Sequence, residues 1–182
     1  MKDVEGPCLF CCCADKTIRT KGRNLSRMEN EPKSKRKRFT GKFVIHEHHA
    51  RRLHFDLRLE MDGVGKSWAV PKGPSMDPYH KRLAVAVPDH SLSYFKFEGK
   101  LAEGTYGAGE VRIWDSGKYE TDYDPMKQLD AGKIRFTFLG KKVRGEFTLV
   151  KLSNQQKNWL LIKAEDKFVD IDWKVKTILP AK

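Results

Sequence analysis

Beyond residue 13 the chain contains no cysteine; Cys8, Cys11, Cys12 and Cys13 crowd into six positions near the start. Cys8 and Cys11 have the spacing of half a zinc knuckle, but no second Cys or His pair follows at knuckle spacing. No cysteine has a partner that would make it a nucleophile. There is no G-x-S-x-G elbow. The bend Gly104, Gly107, Gly109 lacks the GK[ST] ending of a P-loop and reads as a tight turn. Also absent is any run of about 18 apolar residues, so no transmembrane helix is expected. The first residues, Met1-Lys2-Asp3-Val4-Glu5, contain acids and open no long apolar stretch, which argues against a secretory signal. The expectation is a cytoplasmic protein with no membrane partner.

What the chain has in excess is positive charge. Its 182 residues carry a net charge of +12, and the pI is near 9.6. Such a balance favours an anionic partner, nucleic acid first. Residues 16–42 hold eleven Lys or Arg against two Glu. Three regions are expected: a basic, largely disordered N-terminal arm over 1–40, one folded domain over 41–170, and a C-terminal tail over 171–182.

From Phe43 onward the pattern is mainly β. Leu53 to Met61 alternates strictly, and Asp62-Gly63 marks a turn into Lys66–Val70. Arg82–Val87 reads as a strand stopped by Pro88, and His90 to Phe97 as a short helical turn or irregular. Glu110–Asp115 is a strand turned at Ser116-Gly117. Pro125 to Ala131 is a short helix closed by Gly132. Ile134–Phe138, Gly145–Leu152 and Trp159–Lys163 complete the strands. About eight short strands with little helix predict a small, closed or nearly closed β-barrel. Trp68, Trp114 and Trp159 sit in strand patterns and are read as core.

The informative stretch runs from His46 to Glu60. Leu53, Phe55, Leu57 and Leu59 share one face of a strand, while His54, Asp56, Arg58 and Glu60 share the other. Residues two apart on one face sit about 6.5 Å apart, so an imidazole and a carboxylate can converge on one ion. His48, six residues before His54, completes a set of two imidazoles and a carboxylate. That set suits Mn, Zn, Fe or Co better than Mg and leaves positions open for water and substrate. Arg58 is either a bidentate phosphate ligand or a salt-bridge partner of Asp56 or Glu60. Ser67 and Lys72 add donors. His90, past a strand end, is a candidate for phosphate binding or proton transfer, and Arg82 opens the strand leading to it. On their own these residues read as a metal- and anion-binding surface; an iron oxygenase built on a 2-His-1-carboxylate triad and a non-catalytic DNA-end-binding module are alternative readings.

The blocks His48-His49-Ala50-Arg51-Arg52-Leu53-His54-Phe55-Asp56-Leu57-Arg58-Leu59-Glu60 and Lys66-Ser67-Trp68-Ala69-Val70-Pro71-Lys72-Gly73-Pro74-Ser75 carry a resemblance. So do Asp89-His90-Ser91-Leu92-Ser93-Tyr94, Glu103–Gly109 and Asn158–Lys163. Together they resemble the 3′-phosphoesterase domain of bacterial and archaeal DNA ligase D. The resemblance implies a β-barrel with its active site on the outer surface. It implies a manganese-dependent enzyme, with Co²⁺ or Zn²⁺ as alternatives, that removes ribonucleosides and phosphates from DNA 3′ ends. It implies His48, His54 and Asp56 as metal ligands, Arg58, His90 and Arg82 as catalytic groups, and Ser67, Lys72 and Tyr94 as phosphate-binding groups. Separate ligase, polymerase and Ku-type end-binding proteins would be its partners. Two positions depart from the family pattern. His46 stands where the family usually has Gln, and Arg23-Asn24-Leu25 stands where its arm usually reads Arg-Asp-Phe. His46 and Arg23 are therefore secondary candidates.

Overall fold

The computed structural model describes residues 37–105, 107–153 and 155–180. The basic arm through residue 36, with Arg23 and the four cysteines, lies outside the described residues. The strands are β1 (Phe39–His49), β2 (Leu53–Met61), β3 (Val64–Val70), β4 (Arg82–His90), β5 (Gly99–Leu101), β6 (Gly109–Thr121), β7 (Lys133–Leu139), β8 (Arg144–Lys151) and β9 (Asn158–Lys163). A 3₁₀ helix spans Leu92–Lys96, and helix α1 spans Pro125–Asp130. Neighbours run β1-β2-β3-β4-β9-β8-β7-β6, and β1 pairs back to β6. Eight strands thus close an antiparallel barrel, with β5 added at the edge of β6. The mainly β, roughly eight-stranded barrel expected from the pattern is the fold observed. No helix among the described residues is long and apolar enough to cross a membrane.

Alternation fills the interior. Phe43, Ile45, Phe55, Leu57, Leu59, Phe136, Phe138 and Phe147 are all at most 2% exposed. Phe138 sits 4.5 Å from Phe43, 4.8 Å from Phe136 and 5.0 Å from Phe147, centroid to centroid, and edge-on aromatic contacts add to their burial. Trp68, Trp114 and Trp159 belong to this core. Asp62 and Gly63 both adopt positive φ (49° and 76°), the backbone of a tight hairpin turn matched to strand twist.

Two expected strand breaks are absent. Pro88 does not stop β4, which runs on to His90. The β3–β4 register shifts between Gly65 and Ser67, opposite this stretch, and a bulge tolerates a residue without an N–H. Ser116-Gly117 is no turn either: β6 continues from Gly109 to Thr121. A Cβ on Gly117 would lie 2.5 Å from the Leu139 carbonyl oxygen, so this glycine admits close packing. Instead, the β1–β6 register slips at Ile45/His46, leaving Trp114 unpaired in a bulge.

The segment expected as a tail over 171–182 lies against the barrel as far as Leu179. Antiparallel order places the β1–β2, β3–β4 and β7–β8 connections and the chain after β9 at one mouth of the barrel. The returning chain crosses that mouth. Trp173 Nε1 donates to the Pro74 carbonyl (3.0 Å), and Trp114 Nε1 donates to the Lys176 carbonyl (2.7 Å). The fully buried Glu47 carboxylate accepts the N–H groups of Ile178 (2.6 Å) and Leu179 (3.1 Å).

Candidate metal centre

The centre is assembled by the pairing of β1 with β2. A three-residue connection sets His48 directly opposite His54, and His46 opposite Asp56. The imidazole centroids of His48 and His54 lie 4.6 Å apart. Both rings and Asp56 stand on the outer face of the barrel, opposite the Phe55 and Leu57 side chains of the core. One ligand atom from each of His48, His54 and Asp56 falls within 4.8 Å of the others.

Each imidazole is oriented by its far nitrogen. His48 Nε2 donates to the Gly107 carbonyl at 2.8 Å. His54 Nδ1 donates to the Arg52 carbonyl at 3.0 Å. The nitrogens facing the carboxylate are therefore His48 Nδ1, 3.5 Å from Asp56, and His54 Nε2, 3.4 Å from it. His48 Nδ1 is buried without a hydrogen-bond partner. In neutral rings these two atoms carry lone pairs aimed at a carboxylate, an arrangement that requires a cation between them. Histidine metal ligands are commonly held by such a bond from the other ring nitrogen. The donor set thus fits a divalent transition metal.

Without the metal, a proton on His54 Nε2 fills this role. Burial alone disfavours the His54 imidazolium, but hydrogen bonds to Asp56 and the Arg52 carbonyl and the Asp56 charge outweigh it, and the pKa rises above 6.5. Burial alone would raise the Asp56 pKa. The His48 and His54 imidazoles facing it and the Arg58 charge overcome it and hold the carboxyl well below the usual carboxylate range.

Arg58, two residues on, is 2% exposed. Its Nη2 donates to Asp56 (3.1 Å) and its Nη1 to Ser67 Oγ (2.8 Å) and His90 Nδ1 (2.7 Å). Its Nε reaches His46 Nδ1 at 3.4 Å. The Tyr94 ring lies under the guanidinium at 4.9 Å and stacks on Phe97 at 4.7 Å. Of the two readings left open for Arg58, the Asp56 pair is present, and Glu60 instead accepts the Lys42 N–H. His90 accepts from a group that can only donate, so it is neutral, with its proton on Nε2. Burial and then the Arg58 charge lower its pKa. The same two causes, in the same order, bring His46 down to about 4.

A cavity of about 530 Å³ opens over this cluster. His48, His54, Asp56, Arg58 and His90 form its polar side, while Val87, Pro88, Leu101 and Tyr94 form its apolar side. Three expected site residues, Ser67 and Lys72 as phosphate-binding groups and Arg82 as a catalytic group, do not line the cavity. Ser67 is buried, gives its proton to the Gly65 carbonyl (2.8 Å) and supports Arg58 from behind. Lys72 is exposed on the turn after β3 and does not line the cavity. Arg82 shares a strand face with the core residue Ala84 and approaches His80 at 3.5 Å. His90 closes strand β4, opposite Gly65, where a loop was expected. The carbonyls of Arg52 and Gly107 escape sequence reasoning because a carbonyl has no residue-type signature. Only the glycine-rich bend around Gly107 hints at a backbone brought close.

Residues 46–151 match the family described as DNA Ligase D 3′-phosphoesterase domain. A multifunctional non-homologous end joining protein LigD of Pseudomonas aeruginosa is 47% identical over 135 residues, which is 72% of this chain and 16% of that protein. Its counterpart in Mycolicibacterium smegmatis is 47% identical over 132 residues, 69% of this chain and 17% of the relative. The LigD of Mycobacterium tuberculosis H37Rv is 44% identical over 121 residues, 65% and 15% respectively. The chain therefore spans about a sixth of the length of these relatives. The matched segment contains His48, His54, Asp56, Arg58 and His90, and the chain belongs to the DNA ligase D 3′-phosphoesterase domain family.

Proposed function

We propose that this chain is a metal-dependent phosphoesterase that heals DNA 3′ ends. It removes 3′-terminal ribonucleosides as a phosphodiesterase and 3′-phosphates as a phosphomonoesterase. The observation that carries this reading is the orientation of His48 Nδ1 and His54 Nε2 onto the Asp56 carboxylate, beside an arginine and a neutral histidine in one cavity.

His48, His54 and Asp56 would hold manganese, or Co²⁺ or Zn²⁺. When bound, the ion supplies Lewis-acid polarisation of a phosphoryl oxygen and lowers the pKa of a coordinated water. Arg58 opposes the charge developing on the phosphoryl oxygens, where a preorganised donor in a water-poor site is most effective. Its hydrogen bonds to Asp56, Ser67, His90 and His46 leave it one free N–H direction, so the guanidinium is held in place before substrate arrives. His90 offers Nε2–H as a donor to a phosphoryl or leaving oxygen. The ring of Tyr94 fixes the plane of Arg58, and Val87, Pro88 and Leu101 give the terminal sugar an apolar wall. Lys72, exposed on the turn after β3, acts on the nucleic acid outside this cavity. The setting is DNA repair by end joining in the cytoplasm, with ligase, polymerase and Ku-type activities as partners.

The test is a 5′-labelled primer-template ending in a ribonucleotide or a 3′-phosphate. Shortening or dephosphorylation that requires Mn²⁺ is expected. No turnover with any divalent metal would overturn the reading.

A further inference from the structure

The barrel mouth bears a second cationic feature, separate from the metal cavity. Lys141, Lys142, Lys174 and Lys176, with Trp114 and Trp173, line a groove of about 530 Å³. The four lysines are exposed, and none of them is in an ion pair among the described residues. Lys142 Nζ lies 4.7 Å over the Trp114 ring. Asp170 and Asp172 also border the groove, so the four ammonium groups outnumber the carboxylates two to one.

The backbones that carry these lysines are pinned. Asp115 accepts the N–H groups of Lys141 (3.1 Å), Lys142 (2.8 Å) and Val143 (2.8 Å). The Lys176 carbonyl is held by Trp114 and, two residues later, Ile178 is held by Glu47. Four exposed lysines that form no ion pair, on a fixed backbone, present a concentrated positive field to an anion. The flexible stems reach a polyanion at many points without demanding one geometry, as backbone contacts require.

The groove is also joined to the metal centre. Glu47, which ends the strap, is the residue before His48 on β1. From Lys176 to Ile178 the chain covers about 7 Å, and Ile178 is bonded to the residue that precedes the first ligand, so groove and ligands lie within reach of one nucleic-acid strand. The exposed Arg51 and Arg52 of the β1–β2 connection stand at the same mouth.

We infer that the Lys141/Lys142/Lys174/Lys176 groove binds the phosphate backbone of the nucleic acid a few nucleotides upstream of the 3′ end held at the metal centre. This rests on the phosphoesterase reading for the identity of the bound end, but its binding test does not.

The test compares the wild-type chain with a variant carrying Lys141→Ala, Lys142→Ala, Lys174→Ala and Lys176→Ala. A fluorescent duplex with an unreactive 3′-hydroxyl is titrated at several salt concentrations. Bis(p-nitrophenyl) phosphate, too small to reach the groove, reports turnover at the metal centre. Affinity for duplex should fall about tenfold or more, and the magnitude of the salt slope should drop by about two to three, near 0.9 per lost phosphate contact. Turnover of the small diester should be unchanged. The corresponding fourfold Arg variant should restore binding. Wild-type affinity and slope in the Ala variant, equal loss on the small diester, or failure of the Arg variant to rescue would each overturn the inference. Should the wild type turn over neither the small diester nor a primer-template ending in a ribonucleotide or 3′-phosphate, the phosphoesterase reading fails while the duplex titration still decides the groove.

Discussion

Arg58 Nη1 donates to His90 Nδ1 at 2.7 Å, joining residues 32 apart in sequence. Arginine has no acceptor, so the bond exists only while His90 is neutral. This ties the protonation state of one group to the position of the other.

The pH dependence follows from that bond. Burial and the Arg58 charge lower the His90 pKa from 6.5. Protonation as pH falls through the lowered value puts two cations together and removes the acceptor. At saturating metal, the acid limb of kcat/KM should therefore lie below pH 6.5. His90→Ala should lower kcat and flatten that limb. A pH–rate profile whose acid limb survives unchanged in His90→Ala would assign the titration elsewhere.

Metal loading should show the opposite sense of shift. The His54 pKa is raised, so protons compete for its Nε2 at a pH above 6.5, and metal binding releases a proton. Affinity should weaken about tenfold per pH unit below that value. Calorimetry in buffers of different ionisation enthalpy measures the proton released. Asp56→Asn should weaken metal binding by more than about a hundredfold, since removing even an outer-shell partner costs 10- to 100-fold. The barrel should stay folded, because Asp56 lies on its outer face. Wild-type affinity in Asp56→Asn would remove it from the ligand set.

His46 offers a finer test. It is fully buried, with a pKa lowered to about 4, and accepts weakly from Arg58 Nε at 3.4 Å. His46→Gln keeps an acceptor and should stay within about threefold of wild type. His46→Leu should lose about tenfold in kcat/KM, the worth of one net hydrogen bond to a charged group, near ~1.5 kcal/mol. Metal affinity, measured in parallel, should not change. Equal activity of the Gln and Leu variants would show that Arg58 does not need this bond.

Asp115 should matter to stability. Its carboxylate accepts four backbone N–H groups, from Ser116, Lys141, Lys142 and Val143. Asp115→Ala leaves them without partners and should cost about 3 kcal/mol, with Asp115→Asn losing about half as much. Urea denaturation at constant slope checks both values. A change under about 0.5 kcal/mol would mean that water replaces the carboxylate freely.

Much of this molecule is written locally. The alternation of β2 alone separates Leu53, Phe55, Leu57 and Leu59 from His54, Asp56 and Arg58, because consecutive side chains on an extended strand point to opposite faces. Asp62-Gly63 and the helix closed by Gly132 are equally legible, since a positive φ has few residue types to serve it. The three tryptophans of the strand patterns are core for the same reason of phase.

Other features wait for closure of the sheet. That His48 stands opposite His54 depends on the β1–β2 register, and that His90 meets Arg58 depends on β4 pairing with β3 around a bulge. Pro88 and Ser116-Gly117 mislead because a proline or glycine signals a turn only where the ladder needs its N–H or its bend; here a bulge and a close approach absorb them. The carbonyls that aim His48 and His54 carry no side-chain signature at all, and the mouth-crossing strap is held by backbone N–H groups on Glu47. Residue type and spacing decided which groups could do chemistry. Cross-strand register and backbone hydrogen bonds decided where they point, because those depend on pairing between segments distant in sequence.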